Sequence, residues 1–346
     1  MSPDSIKELL KKVAYPGFSR DIVSFGLVKD VKIEDGIITV NISVQTSDPK
    51  VPEQIFKNCH AILDPLPEVK HAHIEIDVQA PAAQTPGSGD TGVKNSIPDI
   101  KHIIAVASGK GGVGKSTVSS NLATSLSLQG HKVGLCDCDL YGPSVAHMFG
   151  NNERPLATED NQIIPIEAHG IKLMSMGFLL EDTSPVIVRG PLATRYTQQF
   201  LQNVEWGELD YLILDLPPGT GDIQLTIVQT IALTGAIIVT TPQEVALIDA
   251  RKAISMFDKV NVPILGLIEN MAWFECDLGT RYPIFGEGGG VKEAEKLKIP
   301  LLGQIPITIQ TREQGDAGQP VSLTKDSKAR TPYQEIASQI VNTLIK

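Results

Sequence analysis

No stretch of this 346-residue chain approaches the roughly 18 consecutive apolar residues that a membrane-spanning helix needs. Its longest apolar runs are only strand length. The opening Met1-Ser-Pro-Asp-Ser-Ile-Lys7 has no apolar core of the kind a secretory leader carries, so a cytoplasmic protein is expected. No run of Lys or Arg occurs either. With 30 basic and 40 acidic side chains the formal charge is −10, which disfavours nucleic acid as a partner. Cysteine is scarce: only Cys59, Cys136, Cys138 and Cys276. No pair has the Cys-x-x-Cys spacing, so one chain alone offers an incomplete metal site. In a reducing compartment these thiols are not expected to form disulfides. No internal repeat is visible on inspection.

What is present is ordinary for a soluble globular protein: 42% hydrophobic and 20% charged residues. The length suits one large and one small domain. From Ala80 to Ile100 the chain is poor in large apolar residues and rich in Pro, Gly and Ser, the composition of a flexible linker. The expected division is a small α+β domain over 1–79, a linker over 80–100 and a larger domain over 101–346. In the small domain a helix is predicted with Ile6, Leu9, Leu10 and Val13 on one face and Ser5-x-x-Glu8 as its capping box. Strands are predicted at Val23–Glu34 and Ile37–Thr46, joined by an Asp35-Gly36 hairpin turn. A helix over Pro52–Leu63 and a strand over His71–Val78 complete it.

The larger domain alternates strand and helix. Strands are predicted at His102–Ser108, Lys132–Asp137, Lys172–Ser175, Val186–Arg189, Tyr211–Asp215, Ala236–Thr240, Ile264–Glu269 and Leu302–Ile305. Several are near-continuous apolar runs, as in a parallel sheet covered on both faces. The fold class is therefore α/β: a doubly wound, mostly parallel sheet, with its ligand at the carboxyl ends of the strands.

Between the first of these strands and a helix over Thr117–Gln129 stands Gly109-Lys110-Gly111-Gly112-Val113-Gly114-Lys115-Ser116, which fits G-x-x-x-x-G-K-[ST]. Glycines let such a loop turn its N–H groups onto phosphate oxygens. Lys115 then reaches the β- and γ-phosphates, the Ser116 hydroxyl suits Mg²⁺, and Thr117 continues the cradle into the helix. Leu212-Ile-Leu-Asp215 is an apolar strand ending in a carboxylate, continued by Leu216-Pro-Pro-Gly219-Thr-Gly221-Asp222. In Val133-Gly-Leu-Cys136-Asp137-Cys138-Asp139 the two carboxylates share one face of an extended segment and the two thiols share the other. The thiols read as small buried groups beneath the sheet, with a metal pair as the competing reading.

The early lysine, Lys110, gives the loop a form that resembles the deviant Walker A loop of the MinD/ParA/nitrogenase-iron-protein superfamily, a branch of the P-loop NTPases. The resemblance implies that Lys110 crosses a homodimer interface to the other subunit's ATP. It implies that Asp215 holds Mg²⁺ as a Walker B carboxylate and that Asp137 supports the ion. Asp139 orients the attacking water, Gly219 N–H senses the γ-phosphate, and Asn270 and Pro306 flank the adenine. Lys110, Lys115 and Asp139 are thus the expected catalytic residues.

Within that superfamily the chain resembles the Mrp/ApbC iron–sulfur carrier ATPases. Asp139-Leu-Tyr-Gly-Pro-Ser144, Arg189-Gly-Pro191, Asp215-Leu-Pro-Pro-Gly-Thr-Gly-Asp222, Thr240-Thr-Pro-Gln-Glu244, Glu269-Asn-Met271 and Ile284-Phe-Gly-Glu-Gly-Gly-Gly290 carry the resemblance. The small domain resembles an FeS-assembly domain through Gly26-Leu27-Val28 and Asp35-Gly36. It departs at Tyr15-Pro16, where Asp-Pro is common, and at Val51-Pro52, where Cys-Pro is common. Cys59 is expected to be a core thiol. The implied activity is ATP hydrolysis by a homodimer that transfers iron–sulfur clusters to apoproteins, in contact with assembly scaffold proteins. The family's Cys-x-x-Cys, which bridges a cluster across the dimer, is met only by Cys276; three residues on stands Gly279. Two Cys276 thiolates plus other ligands, Asp277 among them, are one reading. An ATP-dependent adaptor that carries no cluster, or a MinD/ParA-like positioning ATPase, are the others.

Overall fold

The computed structural model describes residues 2–13, 16, 21–23, 27–34, 36–45, 50–66, 69–79, 96–151, 153–156, 158, 162–175, 178, 201, 203–276 and 278–345. The chain divides into two compact units, residues 1–91 and 92–346. The predicted strand Val186–Arg189, the Arg189-Gly-Pro191 segment, Asp35, Asp277 and most of the expected linker lie outside the described residues.

The first unit contains α1 (Pro3–Leu10), β1 (Val28–Glu34), β2 (Ile37–Gln45), α2 (Lys50–Leu63) and β3 (His71–Gln79). The first helix starts earlier than its apolar spacing suggested. Its capping box is Ser2 with Ser5, not Ser5 with Glu8: Ser2 Oγ accepts from Ser5 N–H and Ser5 Oγ accepts from Ser2 N–H. Pro3, which needs no hydrogen-bond acceptor for its nitrogen, suits the first turn. Strand β2 pairs antiparallel with β1 and, across the α2 crossover, parallel with β3. Ile6, Leu10, Val40, Ile42, Ile55 and Leu63 form its core. Cys59 belongs to that core, and burial pushes its thiol up to about 12.

The second unit runs β4 (Ile100–Ala107), α3 (Lys115–Leu128), β5 (Val133–Asp137), α4 (Val145–Met148), β6 (Ile166–Ala168), β7 (Ile171–Ser175) and β8 (Leu209–Asp215). It continues through α5 (Asp222–Thr230), β9 (Gly235–Thr240), α6 (Glu244–Lys259), β10 (Ile264–Glu275), β11 (Arg281–Tyr282), α7 (Gly289–Leu297), β12 (Leu301–Ile307), α8 (Ile309–Asp316) and α9 (Thr331–Leu344). The strands lie in the order β11-β10-β9-β4-β8-β5-β7-β6, with β12 also on β10. Pairings through the middle are parallel; among the described residues of this unit only β6–β7 and β10–β11 are antiparallel. This is a doubly wound α/β fold, mostly parallel, with a smaller α+β unit before it.

Alternation along each strand divides the apolar run between two cores. Ile104 and Val106 of β4 join Leu122, Leu135, Ile213 and Ile336 on one side. Ala105 and Ala107 join Cys136, Leu212, Leu214 and Phe257 on the other. Helix α3 is buried nearly all round, so its hydroxyls need partners inside the protein. Ser119 and Thr124 find them on the carbonyls of Lys115 and Ser120, one turn back. Helix α9 buries Tyr333, Ile336, Ala337 and Ile340 against this domain, so its apolar face is already covered. Among the described residues no helix is long and apolar enough to cross a membrane.

Candidate functional site

The loop between β4 and α3 gathers at the carboxyl ends of β4, β5 and β8. Gly114 has φ +81°, the left-handed region that glycine enters without a Cβ penalty. A Cβ there would also overlap the Asn270 amide. The loop, Asp139, Ser144 and Pro218 line a cavity of about 340 Å³. Lys110 sits on its wall.

Lys115 is folded inward onto Asp215: Nζ lies 2.6 Å from Oδ1, with the side chains 6% and 0% exposed. Ser119 Oγ donates to the same Oδ1 at 2.7 Å, and Lys115 Nζ donates to Ser116 Oγ at 3.2 Å. Asp215 Oδ2 is buried and has no hydrogen-bond partner among the described residues. A carboxylate oxygen left open next to a serine hydroxyl and a phosphate-type loop fits a hard, oxygen-seeking dication. The residues present therefore suit Mg²⁺.

Asp137 ends β5 and faces away from solvent. Its Oδ2 accepts the N–H groups of Ser144 at 2.8 Å and Val145 at 3.1 Å, and its Oδ1 accepts Asp139 N–H at 3.1 Å. Ser175 Oγ donates to Oδ2 at 3.2 Å. Asp137 thus pins the turn that follows it. Burial, then the neighbouring Asp215 charge, raises its carboxyl to about 6. Asp139 is half-buried, and its Oδ1 accepts from Tyr141 N–H and Gly142 N–H, both at 3.2 Å. Gly219 N–H donates to the Ser108 carbonyl at 3.0 Å, joining the segment after β8 to the phosphate-type loop.

A second cavity, of about 500 Å³, opens beside the same loop. Gly114, Asn270, Met271, Phe285, Pro306 and Tyr333 are among its lining residues. Asn270 Nδ2 donates to Val113 O at 2.8 Å, which anchors the strand end to the loop. Sequence reasoning missed what supports it. The buried Glu269 accepts Gln304 Nε2 at 2.6 Å and also the N–H of Gly290 at the start of α7. A carboxylate closing an apolar strand was the available signal, the same one that marked Asp215.

The strand β10 does not stop at Glu269. It shifts register at Met271, whose φ is +57°, and continues to Glu275, where it pairs with β11. Cys276 is half-buried just past that strand, on the short turn to β11. Backbone N–H groups of Leu278 and Thr280 point toward its sulfur and lower the thiol's pKa. Gly279 closes the turn with φ +78° and an N–H bond to Cys276 O at 2.8 Å. Arg281 stacks over the Trp273 ring at 4.4 Å. Cys136 and Cys138 are fully buried with sulfurs 3.9 Å apart, and no site of three or more His, Cys, Asp or Glu suited to a metal occurs among the described residues.

Residues 99–341 match the family of NUBPL iron-transfer P-loop NTPases, and residues 3–76 match the iron-sulfur cluster assembly protein family. The chain is 45% identical over 322 residues to an iron-sulfur cluster carrier protein of Deinococcus radiodurans, a match covering 92% of this chain and 89% of that one. It is 40% identical over 347 residues to the protein of that name from Synechocystis, covering 98% and 97%. Against a solved nucleotide-binding protein of Archaeoglobus fulgidus in complex with ADP it is 42% identical with a TM-score of 0.59, covering 66% of this chain and 90% of that one. The septum site-determining protein MinD of Pyrococcus horikoshii, complexed with Mg-ADP, shares the fold at 24% identity and a TM-score of 0.55, covering 71% and 97%.

Proposed function

The chain belongs to the NUBPL iron-transfer P-loop NTPase family, and on that premise we propose that it is an ATP-hydrolysing carrier which binds iron–sulfur clusters and passes them to apoproteins. One observation carries the reading. Asn270, beside the nucleotide-type loop, and Cys276, a half-buried thiol of lowered pKa, belong to one continuous stretch of chain around β10.

In this reading the N–H groups of Gly109 to Thr117 cradle the phosphates. Lys115 leaves Asp215 for the β- and γ-phosphate oxygens. Ser116 and Asp215 hold Mg²⁺, with Asp137 behind them fixing the adjoining turn; the ion supplies positive charge to the phosphates when bound. Asp139 orients the attacking water. Gly219 exchanges its bond to Ser108 O for a γ-phosphate oxygen, so ATP and ADP states differ there. Asn270 and Pro306 flank the adenine. Lys110 reaches the nucleotide of a second copy, where a further cation stabilises transition-state charge. Hydrolysis is slow and serves the carrier cycle.

The cluster is cargo, held between two copies by paired Cys276 thiolates and completed by ligands from elsewhere. Carboxylate or small-thiol completion makes such a cluster labile, which suits transfer. The small domain over 1–79 meets scaffold and client proteins, the linker over 80–100 tethers it, and residues 101–346 hydrolyse ATP in the cytoplasm. The glycine at position 279, in a turn with positive φ, favours one competing reading: an ATP-dependent assembly adaptor that carries no cluster. Anaerobic reconstitution with iron counting and visible spectroscopy separates the two. Wild type is expected to retain iron and Cys276→Ser to lose it. Equal iron in both proteins would remove Cys276 as a ligand, and no iron in either would favour the adaptor.

A further inference from the structure

A third cavity, of about 490 Å³, is a groove along α6. Arg251, Lys252, Ser255, Met256 and Lys259 of α6 line it, with Thr220 and Leu225 from the segment that opens α5 as its other wall. Lys252, Ser255, Met256 and Lys259 stand at the spacing of one helix face, so their side chains project to the same side. Thr220, Lys252, Ser255 and Lys259 are exposed, while half-buried Leu225 and buried Met256 make an apolar floor. Among the described residues no Asp or Glu lines the groove. Arg251 is already held by Glu244 and Glu293. Lys252 meets Asp249 at 2.8 Å, but its side chain is 63% exposed, and a surface pair of that kind exchanges readily. Lys259 has no ion-pair partner among the described residues. None of the groove residues lines the cavities at the phosphate loop or beside Asn270. Asp249 abuts Gly109 of that loop, and α6 runs on from there, so Lys259 lies about 15 Å further along the helix axis.

We propose that this groove docks an acidic segment of a partner protein. Its two available ammonium groups, Lys252 and Lys259, are rooted about 10 Å apart along the helix with Met256 between them. A single phosphate is too compact for that spacing and gains nothing from Leu225 and Met256. An extended segment of the pattern Glu-x-Leu-x-Glu puts both carboxylates and the apolar side chain on one face, the carboxylates about 13 Å apart. The flexible lysine stems take up the difference. The leucine settles on Leu225 and Met256, and the Ser255 and Thr220 hydroxyls border the segment's backbone. A chain with a formal charge of −10 repels an acidic partner over most of its surface, so a groove whose charged residues are all cations sets where one lands. A second copy is the poorer occupant. Given the two-fold dimer proposed above, its contact here would be heterologous and would grow assemblies beyond a dimer. Thr220 follows Gly219, whose N–H is bonded to Ser108 O, so one wall of the groove belongs to the segment tied to the phosphate loop.

The test uses the full chain with ADP and Mg²⁺ and two capped probes, acetyl-Glu-Ser-Leu-Ser-Glu-amide and acetyl-Lys-Ser-Leu-Ser-Lys-amide, followed by saturation-transfer NMR. The glutamate peptide is expected to bind at least about tenfold more tightly than the lysine peptide, and added salt should weaken it. Replacing its leucine by serine should cost about fivefold, the loss of one apolar anchor. Lys259→Glu should weaken the glutamate peptide by about tenfold or more, while Tm, fluorescent-ADP affinity and sedimentation stay at the wild-type values. Lys252→Gln should weaken the same peptide in the same direction. Equal binding of the two peptides would overturn the proposal, as would unchanged binding by Lys259→Glu. Displacement of the glutamate peptide by an equal concentration of inorganic phosphate would overturn it in favour of a small anion. A change of sedimentation in Lys259→Glu would overturn it in favour of a second copy.

Discussion

Lys115 Nζ and Asp215 Oδ1 stand 2.6 Å apart with both side chains buried. The lysine that would meet the nucleotide phosphates therefore neutralises the carboxylate suited to Mg²⁺. Removing one member leaves the other charged and buried, at a cost of about 3–5 kcal/mol. Lys115→Met is expected to lose ATP turnover and also to lower Tm. The double variant Lys115→Met/Asp215→Leu should recover most of the stability and none of the turnover. Phosphate release and thermal melts on the single and double variants check both halves. Normal turnover by Lys115→Met would refute the assignment of this loop.

Gly114 carries φ +81°, and its missing Cβ leaves room for the Asn270 amide. Gly114→Ala forces a left-handed alanine, costing about 1–2 kcal/mol, and displaces Asn270 as well. Nucleotide affinity should fall by about tenfold or more, measured by fluorescent-ATP titration. An alanine variant that binds ATP normally would show that Asn270 has no part in the site.

These two sites differ in how far the sequence announced them. Strands covered on both faces become near-continuous apolar runs, so β4, β8 and β9 were legible, and the glycine loop with its lysine followed between strand and helix. Asp215 was visible because a carboxylate ending such a run is conspicuous. The continuation of β10 past Glu269 was not. Asn270 interrupts the apolar run, Met271 takes a positive φ, and pairing resumes only at Phe274 and Glu275 with the two-residue β11. Gln224 was silent for another reason. Nothing in Asp222-Ile-Gln-Leu-Thr226 reveals that the amide packs inward without a partner; only the tertiary fold shows that.

Glu269, the residue before Asn270, ties the end of β10 to Gln304 of β12 and to Gly290 of α7. Glu269→Ala strands the buried Gly290 N–H, at a cost of about 1–3 kcal/mol, and frees the half-buried Gln304 amide. The expected outcome is lower stability by chemical denaturation together with weaker ATP binding. A variant that loses stability with ATP affinity intact would uncouple this network from the cavity lined by Asn270 and Pro306.

The four thiols divide sharply by environment. Cys59, Cys136 and Cys138 are buried, and burial raises the Cys59 and Cys136 thiols; Cys276 is half-buried with its pKa lowered. Thiolates are the reactive form. Native protein treated briefly with N-ethylmaleimide should carry its adduct at Cys276, while unfolded protein should be modified at all four cysteines. Mass spectrometry of peptides reads the result. Rapid labelling of Cys136 in native protein would contradict the packing of the central sheet.

The single run of β-strand from Ile264 to Glu275 has a practical consequence. At the usual rise of a strand, Asn270 and Cys276 are at most about 20 Å apart along the chain. With Cys276 labelled selectively, as predicted above, a dye can be attached there without engineering a cysteine. The fluorophore would then ride on the same backbone rod that touches the phosphate loop. A change in its emission on adding ATP or ADP would report movement of that strand against the loop.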